Sequence, residues 1–269
     1  MRRRSKARSL LIPAIVAVSL GTLSSYGCSS DGAQPPADAG QDRGTIIPPP
    51  AECTTIPNLV AWWKGDGSST DQTGKHDGQW GAVDAGSAGG GPAYAPAEVG
   101  LGFLFNGATY VDVPPDRALD FTTDVSVDAW IKINPGTLNE KGGRIIDKVG
   151  NRLGYAFDVH GGGLRFFVGN ATGAGGDVIT EKPLPQGELI HVAAVMGAGL
   201  ATVYVNGAVG AAKSIPQASP SDAALRIGAA STENAPFNGI IDEVALYSRA
   251  LTATEIATLF ARGPNGRCP

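Results

Sequence analysis

The residues 125–133 alternate without a break. Val125, Val127, Ala129, Ile131 and Ile133 fall on one side of an extended chain, and Ser126, Asp128, Trp130 and Lys132 on the other. A period of two held over nine residues is that of a β-strand with one face in an apolar core. A strand of this kind is not stable by itself, so it demands partner strands beside it and a second layer against its apolar face.

The rest of the chain supplies those partners in short pieces. Leu59-Val60-Ala61-Trp62-Trp63 reads as a strand, and Gln79-Trp80 as an aromatic island in a weak edge strand. Residues 102–105 and 109–113 flank Asn106-Gly107, a pair that tolerates the positive φ of a tight turn, and are predicted to form a hairpin. Further strands are predicted at 143–148, at 154–159 and 164–168 across a triple-glycine turn, at 191–196 and 201–205, and at 225–229. Only residues 252–261 carry a helical pattern, with Thr252 and Glu255 at capping-box spacing and Ile256, Leu259 and Phe260 on one side. About a dozen short strands among 38 glycines and 19 prolines make an all-β sandwich or barrel, and no 20–50-residue repeat points to a propeller.

The N-terminus is of another kind. Five basic residues (Arg2, Arg3, Arg4, Lys6, Arg8) precede a mostly apolar run at 10–23, too short to span a bilayer but suited to a secretory signal over residues 1–27. Ser25-Tyr26-Gly27-Cys28 is similar to the lipobox of bacterial lipoproteins, which implies lipidation of Cys28 and a place at the cell envelope. The alternative is ordinary cleavage that leaves Cys28 free. Residues 28–52 have no apolar periodicity, close on three prolines, and read as a tether. Residues 53–269 then form one domain, bracketed by Cys53 and Cys268, which in an exported protein are expected to form a single disulfide. Without the five basic residues of the head, 16 basic side chains face 25 acidic ones, a balance that excludes nucleic acid and anionic membrane surfaces as partners. Membrane contact is expected only through the lipid.

One charge is misplaced. In the run 240–247, strict alternation puts Ile240, Asp242, Val244 and Leu246 on one face and Ile241, Glu243, Ala245 and Tyr247 on the other. Asp242 among aliphatic side chains needs backbone N–H groups, a basic side chain or a metal ion as partner. The acidic loop from Asp66 through Asp71 to Asp77 lacks EF-hand spacing and reads as a solvated loop.

Seven motifs in order from about residue 56 to 262 resemble the laminin G-like family of the concanavalin A-like superfamily. They are Leu59 to Trp63 with Gly65-Asp66-Gly67; Phe105-Asn106-Gly107 with Tyr110-Val111-Asp112-Val113-Pro114; Val127-Asp128-Ala129-Trp130-Ile131; and His191-Val192-Ala193-Ala194-Val195. Val203-Tyr204-Val205-Asn206-Gly207, Gly239-Ile240-Ile241-Asp242-Glu243-Val244 and Leu246-Tyr247-Ser248-Arg249-Ala250-Leu251-Thr252 complete the set. The resemblance implies a jelly-roll sandwich of two antiparallel sheets with one short C-terminal helix, and a structural calcium. It places that calcium between Asp242, Asp66 or its neighbours, and Asn106 or Gly107. Asn106 and Thr109 stand where the family frequently has Asp, which weakens any site built on those side chains.

The resemblance also implies a binding surface for glycans, with a protein–protein adhesion module as the second reading. The aromatic candidates are Trp130, Tyr204 and Trp80, with Tyr94 near a loop; the competing role for each is packing under loops or between sheets. Catalysis is not expected. The Glu-x-Asp-x-x-Glu strand of related hydrolases, which sets two carboxyls on one face, is absent, and alternation sends the adjacent Asp242 and Glu243 to opposite faces. His191, within a strand, reads as packed or hydrogen-bonded.

Overall fold

The computed structural model describes residues 55–83, 91–137, 142–231 and 235–267. Cys28, Cys53, Cys268 and the expected signal and tether lie outside the described residues. Fifteen strands, one α-helix and two short 3₁₀ turns occur among the described residues. The first five are β1 (Leu59–Trp63), β2 (Gln79–Ala82), β3 (Tyr94–Pro96), β4 (Leu101–Asn106) and β5 (Thr109–Val113). Then come β6 (Val125–Ile133), β7 (Gly143–Asp147), β8 (Gly154–His160), β9 (Gly163–Gly169) and β10 (Gly176–Ile179). The last are β11 (Leu189–Gly197), β12 (Leu200–Val205), β13 (Ala208–Ser214), β14 (Leu225–Ile227), β15 (Asn238–Tyr247) and helix α1 (Ala253–Arg262).

They form two antiparallel sheets, as expected of a jelly-roll sandwich. Sheet A runs β13-β12-β11-β6-β15-β4-β3, with β1 added against β15; sheet B runs β10-β9-β8-β7-β14-β5-β2. The core between them takes the whole apolar row of β6, together with Phe103, Phe105, Val111, Val113, Tyr155, Phe157 and Phe166. At about 25 cal/mol per Å² of apolar surface removed from water, such aromatic and aliphatic burial is the main force holding the layers together.

The Asn106-Gly107 turn does something other than the hairpin expected of it. β4 pairs with β15 and β3 in sheet A, whereas β5 pairs with β14 and β2 in sheet B. The turn, with Gly107 at φ 84°, therefore carries the chain from one layer to the other. The physical reason is burial: Phe103 and Phe105 must meet Val111 and Val113 across the core, which a coplanar hairpin would not allow. By contrast β8–β9 and β11–β12 are hairpins as expected, and Asn206 and Gly207, at φ 49° and 75°, turn β12 into β13.

β15 departs from simple alternation in a way that matters for function. Asn238-Gly239 opens the strand, opposite Asn106 and Phe105. Gly239 lies at φ 145°, and a Cβ there would sit 1.9 Å from the Lys132 carbonyl oxygen, so only glycine fits. Further on, the pairing with β6 shifts between Asp242 and Ala245, and Glu243 takes φ 55°. This bulge falls where the other neighbour of β15 changes from β4 to β1. It also changes the phase: Ile241, Val244 and Leu246 enter the core, while Ile240 and Asp242 lie opposite Lys132 and Trp130 on the outer side. The expectation that Ile240, Asp242, Val244 and Leu246 share one face is thus corrected by one extra residue.

Candidate functional site

The centre of the outer face of sheet A is covered. Helix α1 starts at Thr252, whose side chain accepts from the Glu255 N–H while Glu255 reaches back to the Thr252 N–H. The helix lays Ile256 and Leu259 on Trp62, Ala193, Val195, Tyr204 and Tyr247. Phe260 packs 5.9 Å from the ring of Trp130. Trp130 and Tyr204 are consequently 7 % and 6 % exposed, and neither presents a platform to a ligand. Their outward register is as expected; the covering helix is what the alternation of a single strand cannot reveal.

Trp80 and Tyr94 sit at the sandwich edge, with the Trp80 indole donating to the Tyr94 hydroxyl at 3.1 Å and packing on Phe103 and Phe105. His191 is buried, 3.1 Å from Asp128, in the structural role expected of it. In the loop after β1, Asp71 accepts from the Trp62, Thr73, Lys75 and His76 N–H groups, a loop-ordering role rather than that of a solvated residue.

Asp242 lies fully buried at the bulge. Its Oδ2 accepts from the Val99 N–H at 3.0 Å, and its Oδ1 has no partner among the described residues. Burial, with the charges of Glu243 and Asp66, raises its pKa to about 8 against the opposing backbone hydrogen bonds of Val99 and Glu243. Asp66 accepts from the Leu101 N–H at 2.8 Å, so both carboxylates converge on the turn before β4. Asn106 and Gly107 are elsewhere. Asn106 lies opposite Asn238, four strand positions from Asp242, or roughly 13 Å. Its Oδ1 accepts from the Ala108 N–H at 2.9 Å. An orphaned buried oxygen beside a second carboxylate suits a cation; Asn106 and Gly107 do not belong to such a site. No cluster of three or more His, Cys, Asp or Glu side chains placed to hold a metal occurs among the described residues.

The outer face of sheet B is different. β5, β7, β8, β9 and β14 each point a charge outward in cross-strand register. Asp112 lies opposite Arg226, Arg226 opposite Asp147, Arg144 opposite Asp158 and Asp158 opposite Arg165. The result is a ladder of alternating sign across five strands. Arg165 holds Asp158 with two bonds, Nε at 3.0 Å and Nη2 at 2.7 Å, and Arg144 also contacts Asp158. Arg144 Nε lies 3.0 Å from Asp147. Burial raises the Asp147 pKa despite Arg144, and its oxygens also accept from the N–H groups of Val149 and Ser231. The inner rungs Arg144, Asp147 and Asp158 are buried, whereas Tyr110, Asp112, Arg165, Phe167 and Arg226 are half-exposed. The Arg226 guanidinium lies over the Tyr110 ring at 4.1 Å. Asp112, Arg165 and Arg226 each stand in the sequence as a single charge between two apolar neighbours; what joins them is strand order, which the sequence does not display.

Two antiparallel sheets packed face to face, with one helix over the centre of an outer face, make a jelly-roll sandwich. The chain belongs to the concanavalin A-like lectin/glucanases superfamily, whose family model matches residues 105–257. Among solved structures it is similar to Domain 4 of AbnA, a GH43 extracellular arabinanase from Geobacillus stearothermophilus, in complex with arabinotriose. That match has 24 % identity and a TM-score of 0.63, and covers 75 % of this chain and 97 % of the other. The binding domain of Paraclostridial Mosquitocidal Protein 1 matches at 18 % identity and TM-score 0.61, covering 76 % of this chain and 52 % of that one. The botulinum neurotoxin serotype D ligand binding domain in complex with N-acetylneuraminic acid matches at 14 % and 0.57, covering 76 % and 50 %. The chain thus spans about half the length of the two toxin domains. Likeness at these identities establishes the fold. No curated protein sequence matches the chain. No described helix is long and apolar enough to cross a membrane.

Proposed function

We propose that this chain is a non-catalytic carbohydrate-binding module whose ligand lies across the outer face of sheet B. The observation that carries the reading is the contrast between the two outer faces. Sheet A buries Trp130 and Tyr204 under α1, while sheet B keeps Tyr110, Phe167, Asp112 and Arg226 half-exposed around a ladder of paired charges. Sugars are recognised by aromatic surfaces flanked by a few fixed polar groups, and cross-strand ion pairs hold such groups still. Sugar-bound and receptor-type relatives of the same fold support the class of ligand without specifying it.

Glycoside hydrolysis needs two carboxyls free to face the scissile bond. In the ladder Asp158 is held by Arg165 and Arg144, and the oxygens of Asp147 are engaged by Arg144, Val149 and Ser231. A calcium ion held by Asp242 Oδ1, with Asp66 as the neighbouring acid, belongs to the same proposal in a structural role, away from the ligand face. So do export, lipidation at Cys28 and the Cys53–Cys268 disulfide.

The test is a glycan array with the purified protein, repeated for a Tyr110→Ala, Arg226→Ala double variant that keeps its melting temperature. Glycan retention that the double variant loses supports the reading. Absence of any glycan signal, with capture of an envelope protein instead, would replace it with the adhesion reading.

A further inference from the structure

Arginine–aspartate pairs in this fold close end-on, as Arg267–Asp128 does through Nη1 and Nη2, or side-on through Nε, as Arg165–Asp158 and Arg226–Asp112 do, and the last of these is incomplete. Arg267 and Asp128 are joined by two hydrogen bonds, as are Arg165 and Asp158. Arg226 and Asp112 are joined by one: Nε donates to Oδ1 at 2.9 Å. On the far side of the guanidinium, Nη1 donates to the Ala230 carbonyl at 3.2 Å. Among the described residues, Nη2, the prong next to Nε, and Oδ2 of Asp112 have no hydrogen-bond partner. Both side chains are partly exposed, at 25 % and 37 %. The Tyr110 ring lies under the guanidinium at 4.1 Å and favours this orientation. Tyr110 in turn is packed over Gly81, where a Cβ would come within 2.6 Å of the ring.

We infer that this open prong is the hydroxyl-reading point of the ligand face, and that the ligand is a neutral saccharide, neither acidic nor amino. The inference rests on the carbohydrate reading above and narrows it. A sugar hydroxyl both accepts and donates, so one hydroxyl, or two vicinal ones, can accept from Nη2 and donate to Oδ2 at once. A ligand carboxylate accepts from Nη2 but meets the Asp112 charge at the same point. An ammonium group donates to Oδ2 but meets Arg226. The pair is net neutral, and so are the six ladder charges taken together, so no surplus charge on the ladder favours either ion.

Affinity electrophoresis through gels containing neutral arabinan, polygalacturonate or chitosan tests this with the purified protein, with melting curves of each variant as the folding control. The wild type is expected to be retarded by arabinan alone. Arg226→Ala should weaken that retardation about tenfold, the loss expected of a charge-assisted hydrogen bond at a fixed site. Asp112→Asn keeps the shape and removes the charge, and it should admit polygalacturonate. Wild type retarded by polygalacturonate or chitosan as strongly as by arabinan would overturn the inference. So would an Arg226→Ala protein retarded like wild type, which would mean that the open prong holds only water. Retardation in none of the three gels would overturn the carbohydrate reading along with it.

Discussion

Arg267 grips Asp128 by both prongs of its guanidinium, Nη1 to Oδ1 at 3.1 Å and Nη2 to Oδ2 at 2.8 Å, across 139 residues of chain. Its other donors reach the Tyr247 hydroxyl, the Glu243 carboxylate and the Glu243 carbonyl, so all five N–H groups are satisfied. Arg267 thereby ties the segment after α1 to β6 and to the bulge of β15. The side chain is 6 % exposed and Asp128 is fully buried.

Removing one partner of a buried pair leaves the other charge uncompensated. Arg267→Ala is therefore expected to cost about 3–5 kcal/mol in urea unfolding, far more than any exposed pair. Arg267 and His191 hold the Asp128 carboxyl below its ordinary range although burial opposes them. The sign follows: Asp128 contributes stability above the unfolded aspartate value of 3.8, and that contribution is lost as pH falls below it. An Arg267→Ala protein as stable as wild type would contradict this role.

Asp242 has the opposite sign. Its folded pKa of about 8 lies above the ordinary 3.8, so the folded state holds the proton more tightly than the unfolded chain. Its contribution is intact below about pH 4 and is lost as pH rises toward 8, on the order of a few kcal/mol at most. Calcium at the orphaned oxygen would hold the carboxylate ionised and flatten that slope. Melting temperatures in EDTA are expected to fall between pH 5 and 8, and excess Ca²⁺ to restore them at pH 8. Asp242→Asn should respond to neither pH in this window nor the ion. Identical curves for wild type with EDTA and with Ca²⁺ would remove calcium from the account.

Trp130 separates packing from binding. Buried between His191 and Phe260, it should lose about 3–5 kcal/mol as Trp130→Ala. Trp130→Phe, which keeps a ring under the helix, should unfold at a slightly lower temperature and bind glycans as wild type does. Loss of glycan binding in a folded Trp130→Phe protein would return the site to sheet A.

The architecture was legible wherever one residue type carried one physical meaning. The β6 alternation and the Thr252–Glu255 capping box each became the element expected of it. Reading failed where two layers compete for the same pattern. Asn106-Gly107 joins two alternating strands whether they lie side by side or across the core, and only the need to face Phe105 toward Val111 decides. The β15 bulge was invisible for a related reason. Glu243 is an ordinary strand residue in sequence, and its φ of 55° arises because β15 exchanges β4 for β1 at that point. The ladder of sheet B was missed because Asp112, Arg226 and Asp147 are distant in sequence. Their alignment depends on β14 lying between β5 and β7.

Which outer face meets the ligand is most directly read from amide shifts in ¹⁵N-labelled protein titrated with a retained neutral oligosaccharide. The account expects shifts confined to sheet B, at Tyr110, Asp112, Arg165, Phe167 and Arg226, with the amides of Trp130, Tyr204 and Phe260 unmoved. Shifts centred on β6, β12 and α1, with those of β5 and β14 unchanged, would contradict it.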